Sequence, residues 1–186
     1  QWFQNILFLV HLKKLKNGVT IMNKYIDCSK LGKIKESEFS ELLLSQVGGT
    51  VQIPSKYQDM YDHIDIIWTY NNRTFTFDIK SAKKNRRADP DYNINWVELK
   101  NVRGNPGWLF GKADYIAFEG EKDWIVCRRT DIIKLIDSKV TNKSIDKSRS
   151  LYTYYQRNGR QDIVVKVLSS DLRNIARISF MKNIVT

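Results

Sequence analysis

The chain has 186 residues, of which 42% are hydrophobic, and its formal net charge at pH 7 is +11. That length suits one domain and is enough to bury a core, and the ordinary hydrophobic content argues against disorder along most of the chain. A small domain this basic usually binds a polyanion, most often nucleic acid; the alternative is that its lysines and arginines serve only solubility.

The cysteines and the first segment exclude several classes of protein. Cys28 and Cys127 are the only cysteines, with no CxxC motif and no nearby histidine pair. The sequence therefore predicts neither a zinc site nor a disulfide framework, and a reducing, cytoplasmic location is expected. The apolar run at 6–10 is far too short to span a bilayer, and its lysines follow it, where a signal peptide would have them first. We expect no membrane partner.

The first half of the chain is interpreted as an extension followed by a helix and three strands. Residue 1 is not Met and Met22 opens a stretch that resembles a natural start. We therefore interpret 1–21 as an N-terminal extension, either appended or an amphipathic helix, and 22–186 as a single domain. The stretch GKIKESEFSELLLSQVGG (32–49) predicts a helix that the Gly48-Gly49 pair ends. A short strand at 50–54 precedes two alternating strands, 62–70 and 73–80, around the turn Asn71-Asn72.

The second half is predicted to alternate strands, loops and two short helices. A basic loop at 83–95 is followed by a strand at 96–102 that ends in a GNPG turn, and then by strands at 113–119 and 124–128. A helix capped by Thr130 and a mobile loop at 138–150 come next. The chain ends with a hairpin of 152–156 and 163–168 around Asn158-Gly159 and a final helix capped by Ser170. This order predicts an α+β (α/β) fold with a central mixed β-sheet flanked by helices.

The hairpin at 62–80 predicts which side chains share a face. If Tyr70 faces Arg73, paired residue numbers sum to 143, which aligns Ile64 with Ile79, Ile66 with Phe77 and Trp68 with Phe75 on one apolar face. On the other face, Asp65 falls opposite Asp78 and His63 opposite Lys80. Like charges so paired lie ~5 Å apart and destabilise a sheet unless they are compensated. A divalent cation between the carboxylates is one compensation, and a salt bridge from Lys80 to either aspartate on a solvated face is the alternative.

Glu38, Asp65 and Asp78-Ile79-Lys80 together resemble the PD-(D/E)XK nuclease superfamily. The pattern is closest to Holliday junction resolvase-like and restriction endonuclease-like proteins, whose opening helix has a similar glycine, acidic residue and terminating glycine; Glu41 competes with Glu38 for the acidic position. Asp78 stands where many members have Glu, Ile64 where the family name has Pro, and 138–186 has no counterpart. The resemblance implies a restriction-endonuclease-like core with an extra C-terminal β-hairpin and helix.

The resemblance also implies an activity and a cofactor. Asp65 and Asp78 would bind Mg²⁺, with Mn²⁺ as a substitute, the Ile79 carbonyl would be a third ligand, and Glu38 would bind directly or through water. Lys80 would orient or deprotonate the attacking water. The expected protein is a metal-dependent endodeoxyribonuclease, acting on branched or structured DNA as a homodimer. A non-catalytic nucleic-acid-binding protein on a nuclease-like scaffold is the alternative.

Two basic stretches are the candidate DNA-binding residues. The run KKNRR follows the D-x-K strand directly, where a cationic loop would hold phosphates near a metal; a solvated loop is the alternative. In NVRGNPGWLFGKAD, glycines allow close approach of a ligand, and the tryptophan either stacks on a base or packs in the core. Glu98 is interpreted as a structural ion-pair partner, and His63 as a structural residue rather than a phosphate ligand. The candidates are Lys83, Lys84, Arg86, Arg87, Arg103, Trp108 and Lys112.

Overall fold

The computed structural model describes residues 28–83, 89–146 and 149–182. Within these ranges the α-helices are α1 (Cys28–Gln46), α2 (Arg129–Lys139) and α3 (Ser169–Ile175). The strands are β1 (Thr50–Gln52), β2 (Ile66–Tyr70), β3 (Arg73–Lys80), β4 (Ile94–Lys100), β5 (Tyr115–Glu119), β6 (Asp123–Arg128), β7 (Ile163–Leu168) and β8 (Ile178–Met181). The predicted extension at 1–21 lies outside the described residues.

The strands form a six-stranded sheet of order β1-β2-β3-β5-β6-β8 and a two-stranded sheet of β4 and β7. The β3–β5 pair is parallel and the other neighbours in the large sheet are antiparallel, so this sheet is mixed. Because helices flank it, the prediction of an α+β fold with a mixed sheet between helices is confirmed at this level. None of the described helices is both long and apolar enough to span a membrane.

Strand alternation sends the side chains of the large sheet into two separate cores. On one face, Phe39 and Leu43 of α1 pack against Phe77 of β3 and Trp124 of β6. On the other face, side chains of β5 and β6 pack against α2, α3 and the small sheet. All five residues of β5 are buried, as expected for a central strand covered on both faces.

The end of α1 follows the sequence pattern closely. The Val47 and Gly48 N–H groups both donate to the Leu43 carbonyl, at 2.9 and 3.1 Å. Gly48 and Gly49 have φ values of +93° and +88°, a region that side chains with a Cβ rarely adopt. The glycine pair therefore ends the helix where the sequence predicts, and the chain turns directly into β1.

The register of the β2–β3 hairpin is confirmed, but its length is shorter than predicted. Tyr70 pairs with Arg73 and Ile66 with Phe77, around a turn in which Asn71 and Asn72 have φ of 48° and 59°. The ladder stops at Ile66 because a π-helix at Gln58–Asp62 and a left-handed His63 bend the chain away. The pairing of His63 with Lys80 in a continuous ladder was therefore wrong.

Ile64 also departs from the predicted register. It was expected beside Ile66 and Ile79 on one apolar face, but it packs in the core on the opposite face of the sheet. The left-handed backbone at His63 reverses the alternation before the strand begins, so the period-two rule does not extend to Ile64.

The predicted C-terminal hairpin was wrong in its pairing. β7 pairs along its length with β4, whereas 152–156 forms no ladder with β7 and contacts it through the isolated Tyr155–Val164 bridge and hydrogen bonds of Tyr152. The caps Thr130 and Ser170 were also wrong, because α2 and α3 begin earlier, with Arg128 and Leu168 at their N-caps. Strand β8 was not predicted.

Gly107 allows the GNPG turn to lie directly on β4, and its replacement tests that contact. A Cβ at Gly107 would lie 2.4 Å from the Glu98 carbonyl oxygen, which is backbone of a paired strand and cannot easily move. We expect Gly107→Ala to lower the free energy of unfolding by about 1–3 kcal/mol, as overpacking does. Urea unfolding followed by circular dichroism measures this change.

Gly32→Ala is the matched control for Gly107→Ala. Gly32 lies inside α1, where an added Cβ meets nothing closer than 3.9 Å. Alanine there should raise the free energy of unfolding by about 0.5–1 kcal/mol, because it restricts the unfolded chain and favours helix. Equal effects of the two substitutions would contradict the assigned close approach.

Candidate functional site

The end of β3 places an acid and a base on the face of the sheet that is turned away from α1. Phe77 and Ile79 belong to the core packed on α1. Alternation turns Asp78 and Lys80 to the other side, and the Lys80 ammonium lies 4.7 Å from the centre of the Trp108 ring, in the opposite core. The Lys80 Nζ and Asp78 Oδ1 atoms are 2.5 Å apart.

Asp78 is a buried carboxyl group with one oxygen that accepts no hydrogen bond. It is 1% exposed, its Oδ2 atom meets no donor, and a hydrogen bond between the protonated carboxyl and Asp65 is among the causes that raise its pKa. Burial raises the pKa of Asp78 to about 8, against the opposing effect of the Lys80 ammonium and with a further contribution from the Asp65 carboxylate. Without another cation beside it, this carboxyl retains a proton near neutral pH, because its charged form is poorly solvated.

Asp65 is held beside Asp78 by the backbone of β3. The Asp65 Oδ2 atom accepts a hydrogen bond from the Ile79 N–H at 2.7 Å, and the Asp65 N–H donates to the Phe77 carbonyl at 2.8 Å. These bonds replace the ladder that ends at Ile66, so the aspartate stays near its predicted partner although it lies outside the strand. The structure brings Asp65, Asp78 and Lys80 together as the sequence predicts.

The α1 carboxylate that is electrostatically coupled to Asp65 is Glu36, which the sequence pattern did not predict. Burial raises the pKa of Glu36, its ion pair with Lys33 opposes this, and the Asp65 carboxylate raises it further. Glu38 instead pairs with Lys35 at 2.7 Å and its side chain is 46% exposed. Glu41 accepts a hydrogen bond from Ser37 at 3.3 Å.

Helical phase is the signal that distinguishes Glu36 from the two glutamates that were considered. Glu36 lies three residues before Phe39, so it flanks the buried stripe of α1, whereas Glu38 lies about 100° around the helix from Phe39. Glu38 therefore joins a different network, in which Lys35 also pairs with the buried carboxylate of Glu119 at 3.0 Å.

The predicted DNA-binding residues fall in different surroundings. The Lys83 ammonium lies 5.0 Å from the centre of the Trp96 ring. Arg103 is exposed, and Lys112 pairs with Asp62 at 2.9 Å. Trp108 is 8% exposed and packs edge-on against Phe118, as expected of a core tryptophan. Lys84, Arg86 and Arg87 lie outside the described residues.

Two further residues named in the sequence analysis lie around Lys80. Burial lowers the pKa of His63, and the nearby Lys80 ammonium lowers it further. Burial raises the pKa of Glu98, and Lys80 opposes that shift.

Cys127 is buried, and its thiol donates a hydrogen bond to the Leu172 carbonyl at 3.3 Å. Burial raises the pKa of the Cys127 thiol to about 12, so it is an unreactive structural thiol.

The donor set limits which metal the site suits. In the part of the chain that the structure describes, no group of three or more His, Cys, Asp and Glu side chains is arranged to hold a metal ion. Mg²⁺ does not require such a cage, because it keeps several waters and commonly binds through one or two carboxylates and substrate phosphates. The unpartnered Oδ2 of buried Asp78, beside a second carboxylate, fits that mode of binding.

Comparisons with known proteins add no relatives. No protein-family model matches the sequence, and no curated protein and no solved structure is found to be similar to it. The resemblance to PD-(D/E)XK nucleases remains a prediction from short motifs.

Proposed function

We propose that the chain is a metal-dependent endonuclease that hydrolyses phosphodiester bonds of DNA. One observation carries the proposal: a fully buried aspartate, one oxygen of which meets no donor, lies beside a second carboxylate and is paired with a lysine ammonium. Burying such a group costs free energy, which a cation bound between the two carboxylates would offset. The proposal includes a restriction-endonuclease-like core.

The residues at the end of β3 would hold the ion. Asp65 and Asp78 are the carboxylates, the Ile79 carbonyl is the third oxygen that the resemblance implies, and Glu36 replaces Glu38 as the acidic residue from α1. Bound there, Mg²⁺ or Mn²⁺ would supply a nucleophilic water at neutral pH and stabilise charge on the phosphoryl oxygens.

Lys80 has two tasks in this proposal. Its ammonium, now 2.5 Å from Asp78, is free to turn to a scissile phosphate once another cation neutralises that carboxylate. There it orients the attacking water and donates hydrogen bonds to the phosphoryl oxygens as negative charge develops on them. Before it turns, the ammonium is held at this end of the strand by its contact with the Trp108 ring, 4.7 Å from the ring centre.

The substrate class follows from charge and from the resemblance. A net charge of +11 favours a nucleic acid over a small neutral substrate. Lys83, directly after β3, places a further cation within reach of a phosphate near the site. The resolvase-like pattern of α1 favours branched or structured DNA, and a homodimer would present two such sites.

The alternative is a DNA-binding protein without activity. One observation favours it: the Lys80 ammonium already lies 2.5 Å from Asp78 Oδ1, where a metal ion would otherwise bind. Such a protein would bind DNA with strong salt dependence and without need of a divalent ion.

Nicking of supercoiled plasmid with Mg²⁺, with Mn²⁺ and with EDTA tests the proposal. Cleavage should require a divalent ion, and Glu36→Gln should slow it by about 10- to 100-fold, because a carboxylate that supports a metal is lost. Glu38→Gln is the matched control from the same helix and should cleave at the wild-type rate. Salt-sensitive binding without cleavage would select the non-catalytic alternative.

A further inference from the structure

A cavity of about 360 Å³ opens beside the candidate catalytic residues, between the end of β3 and the small sheet. Its walls include Ile79 and Lys80 from β3, Trp96 from β4 and Val164 from β7. The volume falls within the range of about 300–1,000 Å³ that is usual for small-molecule sites. Lys80 contributes to this cavity and pairs with Asp78, so the cavity is continuous with the proposed catalytic site.

The lining combines aromatic rings with long cationic side chains. Trp96 and Tyr155 meet edge to face with their centres 6.1 Å apart. The Lys83 ammonium lies 5.0 Å from the Trp96 ring centre, and the Arg149 guanidinium lies 4.9 Å from that of Tyr155. Stacking on a nucleobase is stronger than a cation–π contact at a solvent-accessible site. A base can therefore displace Lys83 and Arg149 from the two rings. Their positive charges can then pair with the phosphates of the bound nucleotide.

One cation in the lining, that of Arg157, is held by a salt bridge to a buried carboxylate. Arg157 pairs through its Nε with Asp162, which is 0% exposed and whose Oδ1 atom has no hydrogen-bond partner. Burying a carboxylate with only one of its two oxygens hydrogen-bonded costs free energy. In return, the Asp162 carboxylate fixes the orientation of the Arg157 guanidinium. Arg157 lines the cavity, so the remaining N–H groups of its guanidinium are available to a bound anion there.

We propose that this cavity binds one unstacked nucleotide of single-stranded DNA, next to the phosphate that lies at Lys80. The inference rests on the proposed function for its substrate class and goes beyond it in specifying the state of the DNA. Bases inside a duplex expose only their edges, so an aromatic wall can stack on a base only where pairing is broken. The preferred substrate is then DNA with an unpaired nucleotide beside the cleaved bond.

The test measures binding in EDTA, where no cleavage occurs, by fluorescence anisotropy. The probes are a fluorescein-labelled oligothymidylate, an oligomer of abasic nucleotides of the same length, and a blunt-ended duplex. Wild-type protein should bind the oligothymidylate about 5- to 100-fold more tightly than the abasic strand, the range that stacking of one base supplies. Trp96→Leu should abolish most of this preference and leave the affinity for the duplex unchanged.

Two further variants make the result decisive. Tyr57→Leu removes a ring that is 63% exposed and outside the cavity, and it should keep the full preference for bases. Arg149→Ala tests the inference if Trp96→Leu fails to fold. It should reduce the slope of log affinity against log salt concentration for single-strand binding by about the amount that one phosphate contact contributes. An unchanged base preference in folded Trp96→Leu, or an unchanged salt slope in Arg149→Ala, would overturn the inference.

Failure of this inference and failure of the proposed function are distinguishable. If the protein nicks plasmid but shows no binding preference for strands that carry bases, the proposed nuclease function is supported and the proposed nucleotide-binding cavity is contradicted. If the base preference depends on Trp96 but the protein never cleaves DNA, the nucleotide-binding cavity is supported and the proposed nuclease function is contradicted.

Discussion

Replacement of Lys80 by methionine is expected to slow DNA cleavage by about 10²–10⁴-fold, the usual contribution of a positioned proton-transfer group. Methionine keeps an unbranched side chain beside Trp108 and removes the ammonium that lies 4.7 Å from the centre of that ring and 2.5 Å from Asp78. The carboxyl left behind retains its proton because it is buried, so the fold survives the loss of the ion pair. Initial rates of plasmid nicking in Mg²⁺ measure the effect, and thermal unfolding verifies that the variant is folded.

Lys134→Met is the control for Lys80→Met. Lys134 is an exposed residue of α2, and its replacement removes one positive charge from the protein without touching β3. Any general effect of net charge on DNA binding is then common to both variants. Wild-type cleavage by folded Lys80→Met would eliminate the proposed role of the lysine.

Asp78→Asn is expected to stabilise the metal-free protein at neutral pH and to abolish cleavage. The pKa of Asp78 is raised to about 8 in the folded protein, chiefly by burial, whereas the unfolded value is 3.8. Between these values the unfolded chain has released a proton that the folded chain retains. The stability contribution of this group is therefore present at low pH and is lost as pH rises from about 4 to 8, at about 1.4 kcal/mol for each pH unit.

Urea unfolding in EDTA at a series of pH values separates this effect from other titrations. Asparagine does not ionise, so the stability difference between Asp78→Asn and wild type should widen as the pH increases towards 8. Adding Mg²⁺ should narrow the difference, because a divalent ion favours the ionised carboxylate of the wild type. Parallel pH profiles in EDTA would show that the Asp78 carboxyl is not perturbed.

Elements defined by local chemistry could be predicted from the sequence. Two asparagines that tolerate positive φ, flanked by alternating residues, set the β2–β3 register from Tyr70–Arg73 to Ile66–Phe77. The glycine pair at 48–49 likewise ends α1. These features depend on neighbours within a few residues, so the information needed to predict them is contiguous in the chain.

Pairing between distant segments could not be predicted in the same way. β7 carries a pattern that suits any antiparallel partner, and the nearby 152–156 segment was the obvious candidate. The structure pairs β7 with β4, more than sixty residues earlier in the chain, because that arrangement buries Val97 and Val165 together against α2 and α3. Only the packed core selects between such partners, since both satisfy the same local pattern.

The sequence by itself determined that an aspartate pair and a lysine occur at one end of a hairpin, because strand period and turn type are local properties. The tertiary structure decided that Glu36 is electrostatically coupled to Asp65 whereas Glu38 pairs with Lys35, and that Trp96, Tyr155 and Arg157 line a cavity beside Lys80. The physical reason is that burial and the docking of α1 and the small sheet on the large sheet are collective results of packing. Side chains far apart in the sequence acquire a common environment only when those layers meet.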